Sequence, residues 1–263
     1  IVVVNSTGWV KQRKMLPFDL LLCCLATSRI CLQIIMFYFS LALLSLSEIS
    51  ASGWYLVIFM FIYRLELWLA TWLSVFYCTK ISPIVHPLFF WWKLRISKLV
   101  PWLILGTLLY TSLSSVLYRK VAWILFQKMW SNFLLPNATA QVREIKETPV
   151  LQLVVLFIEL LLPFVIFLIS VLLLIFFLGR HVQQIISTAA GTRPPSARVH
   201  ISALWSFLSF LVLYVSQYVM AAITSSSYVF KTRNFVLLFC MLLVGLYPSV
   251  HSIVLILGNP KLK

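Results

Sequence analysis

The chain has 263 residues, of which 62% are hydrophobic and 10% charged, with a formal net charge of +15. Soluble domains carry charge on about a quarter of their residues, so this composition excludes one and predicts a single all-α, polytopic membrane bundle over residues 1–263. The basic surplus lies in short segments between apolar runs, as the positive-inside rule expects, so it is no argument for nucleic acid as a partner.

A membrane helix needs about 20 mostly apolar residues. Taken in chain order, the apolar stub 1–4 reads as the inner end of a first helix cut short. Complete spans are predicted at 16–41, 54–81, 99–117, 150–178, 201–223 and 235–257, giving a seven-helix bundle whose first member is truncated. No signal peptide is expected, because the basic residues follow the first apolar residues rather than precede them.

Alternating the segments sorts the charges. One side collects Lys11, Arg13, Lys14, Lys80, Lys93, Arg95, Lys98, Arg180, Arg193, Arg198, Lys261 and Lys263, with no acid among them. The other holds Glu48, a long loop mixing Arg119, Lys120, Lys128, Arg143 and Lys146 with Glu144 and Glu147, and then Lys231 and Arg233. The more basic side is cytoplasmic, which puts the N-terminus outside and the C-terminus in the cytoplasm. Asn137-Ala138-Thr139 is a glycosylation sequon in the long outer loop, whereas the sequon at Asn5 falls on the inner side.

The segment from His86 to Ile96 is aromatic and basic, wedged between two apolar runs. Pro87 predicts a helix break and therefore a loop. Trp91 and Trp92 suit the interfacial belt, and Lys93, Arg95 and Lys98 suit the cytoplasmic face.

Charges at membrane depth cost about 2.5–3.5 kcal/mol each on insertion scales and usually face a bundle interior. Arg29 is one. Arg64 and Glu66 are two residues apart, so they occupy different faces of one helix and do not pair with each other. Counting 1.5 Å per residue, Glu66 lies roughly 18 Å inside its helix from Trp54 and Glu159 roughly 13 Å inside its own. Two alternatives stand for these carboxylates: walls of a cavity open to the outside, or buried contacts between helices. Pro163 predicts a kink and a freed carbonyl close to Glu159. Tyr214, Gln217 and Tyr218 add polar groups on the 201–223 span.

No paired catalytic carboxylates, Ser/His/Asp set or phosphate loop occurs in a plausible context, so no enzymatic activity and no cofactor are expected. His86, His181, His200 and His251 lie far apart near inner helix ends, which gives no metal site. The cysteines, all within apolar segments and without a CxxC pair, read as small buried hydrophobes.

Several motifs in order carry a family resemblance. Leu25-Ala26, then Ser28-Arg29-Ile30-Cys31-Leu32-Gln33, resembles a second-helix signature. Trp68-Leu69-Ala70-Thr71, then Leu73-Ser74-Val75-Phe76-Tyr77, is similar to a third helix. His86-Pro87-Leu88-Phe89-Phe90-Trp91 through Ile96 resembles the second inner loop, followed by Val100-Pro101-Trp102. Tyr247-Pro248-Ser249, His251-Ser252 and Leu257-Gly258-Asn259 resemble the seventh helix and its end. Together they resemble the bitter taste receptors (taste receptor type 2), a family of seven-helix G-protein-coupled receptors. The chain departs from the family pattern at Tyr63, where Asn is frequent, at Glu66, where a small polar residue is usual, and at Arg64, Pro194 and Trp205.

The resemblance implies a plasma-membrane receptor that binds small bitter agonists in an outer cavity and activates a heterotrimeric G protein of the gustducin type. On this reading Tyr63, Glu66, Glu159, Gln217 and Tyr218 line the cavity, and the two carboxylates suggest cationic or hydrogen-bond-donating agonists. Arg29 and Ser252 belong to a switch network. Lys80, Lys93, Arg95, His181 and His200 face the G protein, and Asn137 carries the glycan. The lipid bilayer is a partner by construction, and a receptor dimer is compatible with the reading. A polytopic transporter or channel is the alternative, weakened by the absence of paired broken helices. A non-signalling receptor remnant is a further alternative.

Overall fold

The computed structural model describes residues 16–44, 53–81, 87–120, 123 and 150–188, with 208–209, 211–212 and 215–216. The stub 1–4, the span 235–257, most of the span 201–223 and the sites Asn137, His200, Gln217, Tyr218 and Ser252 lie outside the described residues. Every described element is helical: α1 Pro17–Leu44, α2 Gly53–Ile81, α3 Pro87–Leu117 and α4 Val150–Thr188. Each contains a membrane-crossing stretch, of 22, 24, 25 and 23 residues respectively. At 1.5 Å per residue all four exceed the roughly 30 Å of a hydrocarbon core.

Two helices are longer than their apolar runs. The segment expected to be a loop after Pro87 is the opening of α3, which begins at Pro87 itself. Proline breaks a helix only in its interior. At the first position its missing N–H would have had no intrahelical partner, and its φ is already helical. Pro17 opens α1 in the same way, with Asp19 in the first turn to suit the positive end of the helix dipole. α4 likewise runs past Leu178 to Thr188, beyond the hydrocarbon, because polarity alone does not end a helix.

α2 is the central element, packed against α1, α3 and α4, while α1 also touches α3. The side-chain contacts fix the directions. As α2 advances from Arg64 through Trp68 to Trp72, its partner on α3 retreats from Ser114 through Tyr110 to Thr107. α1 is antiparallel to α2 as well, since Arg29 meets Glu66 and Phe18 meets Tyr77. α4 runs parallel to α2, with Glu159 beside Arg64 and Pro163 beside Thr71. These directions match the up-and-down alternation of helices that the segment order predicts.

The apolar centre is built from Leu21 and Leu25 of α1, Leu69 and Leu73 of α2, Ile96 and Val100 of α3, and Phe167 and Val171 of α4. Large apolar side chains such as Leu109, Leu113 and Ile169 point outward, which is the surface a lipid solvent selects. Hydroxyls inside the bundle are satisfied largely by their own helix. Thr107, Thr111, Ser115 and Ser170 each donate to the carbonyl four residues earlier. This local bonding offsets part of the desolvation cost of short polar residues at membrane depth.

Candidate functional site

Arg64 and Glu66 project about 200° apart on α2, at 100° per residue, and therefore reach different neighbours. Glu66 meets α1: Arg29 Nε donates to Glu66 Oε1 at 3.1 Å, with both side chains buried. Arg64 meets α3 and α4: Nη1 donates to Ser114 Oγ at 2.6 Å and lies 3.0 Å from Glu159 Oε2. The contact with Glu159 is an ion pair by proximity, without hydrogen-bond alignment at that oxygen.

Aromatic groups of α3, together with Tyr118, the residue just past its end, complete the surroundings. The Tyr118 ring lies 5.5 Å from the Arg64 guanidinium carbon, and the Tyr110 hydroxyl is in hydrogen-bonding reach of Glu159. Trp68 stacks on Trp72, whose indole N–H donates to Thr107 at 2.9 Å. On the other flank the Thr71 hydroxyl shares its one proton between the Leu67 carbonyl of its own helix at 2.8 Å and the Pro163 carbonyl of α4 at 3.0 Å. α4 continues as one helix through Pro163. The carbonyl that loses its helical partner there is that of Glu159, four residues earlier, so polar backbone and carboxylate share one place.

Four charges on three helices thus form two opposite pairs. Each pair replaces the water that its members lost, and removing one partner of such a buried pair typically costs about 3–5 kcal/mol. Arg64 Nε and Glu66 Oε2 have no hydrogen-bond partner among the described residues. The Arg64 guanidinium and the Glu66 carboxylate are therefore held partly by charge and partly by directed bonds.

Of the expected cavity residues, Tyr63 is half-buried, stacks on Phe59 at 6.0 Å between centroids and packs against the apolar centre. Glu66 is only 3% exposed, and both Glu66 and Glu159 are interhelical contacts. That pairing removes the charge argument for a cationic ligand, because each carboxylate already faces a guanidinium. Gln217 and Tyr218 fall outside the described residues.

In the last turn of α2, Lys80 is exposed with its ammonium 5.7 Å over Phe76. Lys93 is half-buried on α3, whereas Arg95 is exposed and lies 4.6 Å over the Trp91 ring. His181 is on the last turns of α4. Ser114, Tyr110, Tyr118 and the Thr71–Pro163 bond escaped the sequence reading. The Arg64–Glu159 pair carried a signal that could have found it, since the two opposite charges sit at similar depths in helices predicted to run the same way. Among the described residues no cluster could hold a metal ion, and Cys23, Cys24, Cys31 and Cys78 are free.

The family model described as Taste receptor protein (TAS2R) matches residues 1–263, the whole chain. The chain belongs to this taste receptor family. Among its relatives, taste receptor type 2 member 1 of Chlorocebus aethiops is 51% identical over 266 residues, covering 100% of this chain and 87% of that protein. Taste receptor type 2 member 119 of Rattus norvegicus is 45% identical over 264 residues, covering 100% of this chain and 77% of that one. Member 7 of Macaca mulatta is 34% identical over 267 residues, covering 100% and 84%. The family resemblance read from the motifs therefore holds along the entire chain. Taste receptors of this family are membrane-spanning receptors and not enzymes, which agrees with the all-helical, membrane-length elements.

Proposed function

We propose that this chain is a bitter-type chemosensory receptor that binds small, mostly apolar agonists in an outer transmembrane cavity and activates a heterotrimeric G protein of the gustducin type. It acts in the plasma membrane with its N-terminus outside and its C-terminus in the cytoplasm, and Asn137 carries an outer-loop glycan. Tyr63, Gln217 and Tyr218 contact the agonist, with Glu66 and Glu159 shaping the cavity through their pairs with Arg29 and Arg64. Lys80, Lys93, His181 and His200 face the G protein, with Arg95 at the rim of that surface, and Ser252 joins Arg29 in the switch. Any dimer would form through the outward helix faces.

The observation that supports this most is the position of α2. It holds buried charges against α1 and α4 in its N-terminal half and ends at exposed Lys80, so one element links the two ends of the bundle. An agonist that prefers one arrangement of these contacts shifts the equilibrium toward it by its differential affinity. The test is calcium release in cells expressing the chain with a gustducin-type G protein, screened against a bitter-compound panel. Agonist-dependent release that needs the G protein is the expected result. Substrate flux in proteoliposomes lacking any G protein would favour the transporter reading instead.

A further inference from the structure

The outward side of α3 at its inner end does not fit the receptor's own packing. Ile96, Val100, Ile104 and Thr107 mark the buried side of this helix. At about 100° per residue, Trp91, Arg95, Lys98 and Trp102 form a single stripe diametrically opposite to them. All four are exposed, Trp91 by 46% and Trp102 by 71%. Arg95 is held 4.6 Å over the Trp91 ring, a cation–π contact that orients the guanidinium on the outer surface. α3 carries no acidic residue to neutralise Arg95 or Lys98. Further along the same face the surface becomes wholly apolar, with Leu105, Leu109 and Leu113 exposed by 48%, 64% and 63%. Lys93, by contrast, is on the packed side and half-buried.

We propose that this face of α3 is a docking surface for an anionic phospholipid. Arg95 and Lys98 take the headgroup phosphate and carboxylate, Trp91 and Trp102 bracket that headgroup level, and the leucine track lies along the acyl chains. Along the stripe the two cations lie between Trp91 and Trp102 and the leucines follow, so charge precedes hydrocarbon as headgroup precedes acyl chains in a lipid molecule. Aromatic rings of this kind favour the headgroup level, and basic side chains near it are drawn to acidic lipids. The proposal rests on the orientation given above, which places the start of α3 in the cytoplasmic leaflet, where acidic lipids concentrate.

The full chain, purified in detergent and titrated with dioleoyl phosphatidylserine or dioleoyl phosphatidylcholine, reports its lipid adducts by native mass spectrometry. Phosphatidylserine is expected to bind at lower concentration than phosphatidylcholine. Arg95→Gln and Lys98→Gln should each weaken phosphatidylserine binding roughly five-fold and leave phosphatidylcholine unchanged. Lys120→Gln, which removes an exposed cation from the chain beyond the other end of α3, should change neither. Equal affinity for the two lipids, or full phosphatidylserine binding in the Arg95→Gln/Lys98→Gln double variant, overturns the proposal. Glycerophosphoserine, the headgroup without chains, should not displace the lipid. Displacement at equal concentration would make this a phosphate-ester site and overturn the lipid assignment. Orientation is read separately by labelling Leu94→Cys with a membrane-impermeant maleimide, against the unsubstituted chain as blank. Labelling only after permeabilisation supports the cytoplasmic leaflet. Labelling of intact cells overturns the orientation, and the adduct measurement in detergent still decides the lipid surface.

Discussion

Arg29 of α1 and Glu66 of α2 meet at 3.1 Å inside the bundle, both withdrawn from solvent. An arginine at this depth needs a partner, and α2 supplies it at a position where the family pattern led us to expect a small polar side chain. Glu66→Gln is expected to leave the guanidinium underpaired and to destabilise the fold by about 3–5 kcal/mol. Thermal unfolding in detergent and the fraction reaching the cell surface measure this. The Arg29→Glu/Glu66→Arg exchange should recover part of the loss. A single variant as stable as the unsubstituted chain would show that the pair contributes nothing.

Arg64 and Glu159 tie α2 to α4 in the same manner, so a double-mutant cycle isolates their coupling. Arg64→Gln and Glu159→Gln are each expected to destabilise. The double variant should be less damaged than the sum of the singles by about 1–3 kcal/mol, because no charge is then left alone. Strict additivity in the unfolding temperatures would refute the coupling.

Ligand selectivity follows from the same pairing. With both carboxylates neutralised by arginine, a cationic agonist should have no potency advantage over a neutral isostere in calcium release. Glu159→Gln leaves the site with the uncompensated charge of Arg64. Anionic agonists should then gain over cationic ones by on the order of ten-fold, well below the full Coulomb energy of an unscreened pair. An unchanged ratio would place the agonist away from this pair.

The Thr71 hydroxyl, donating to the Pro163 carbonyl at 3.0 Å, is a smaller tie between α2 and α4. Thr71→Val keeps the shape and removes the donor. It should cost about 0.6 kcal/mol, the average for such interhelical bonds in a membrane. Unfolding temperature checks the value, and a loss of several kcal/mol would mean that Thr71 does more than join two helices.

Much of this was legible in the sequence. Hydropathy and length located the membrane-spanning parts of α1 to α4, because a bilayer admits few alternatives to an apolar helix. The separation of Arg64 and Glu66 onto different faces followed from helical geometry alone. Helix ends were less legible. Pro87 reads as a break, yet at the first position of α3 it starts the helix, and only the surrounding chain decides which. Partners were the least legible feature. Periodicity states which face a charge occupies and leaves open which helix lies against it, so Arg29 with Glu66 and Arg64 with Ser114 needed the packed bundle. The aromatic and basic residues near Trp91 marked a membrane edge in the sequence. Their division into a packed Lys93 and an outward Arg95 required knowing that they lie on a helix.

The deep charges also settle how the bundle responds to an electric field. Arg29, Arg64, Glu66 and Glu159 sum to zero, and the other charged residues of the four described helices lie toward their ends. The net charge of the described helices therefore sits toward their ends. A membrane potential acts on a displaced elementary charge with about 2.3 kcal/mol per 100 mV. Sliding α2 along its own axis carries one positive and one negative charge together, so the voltage does no net work on it. A cell can depolarise without pulling this helix, which leaves its position to be set by chemistry.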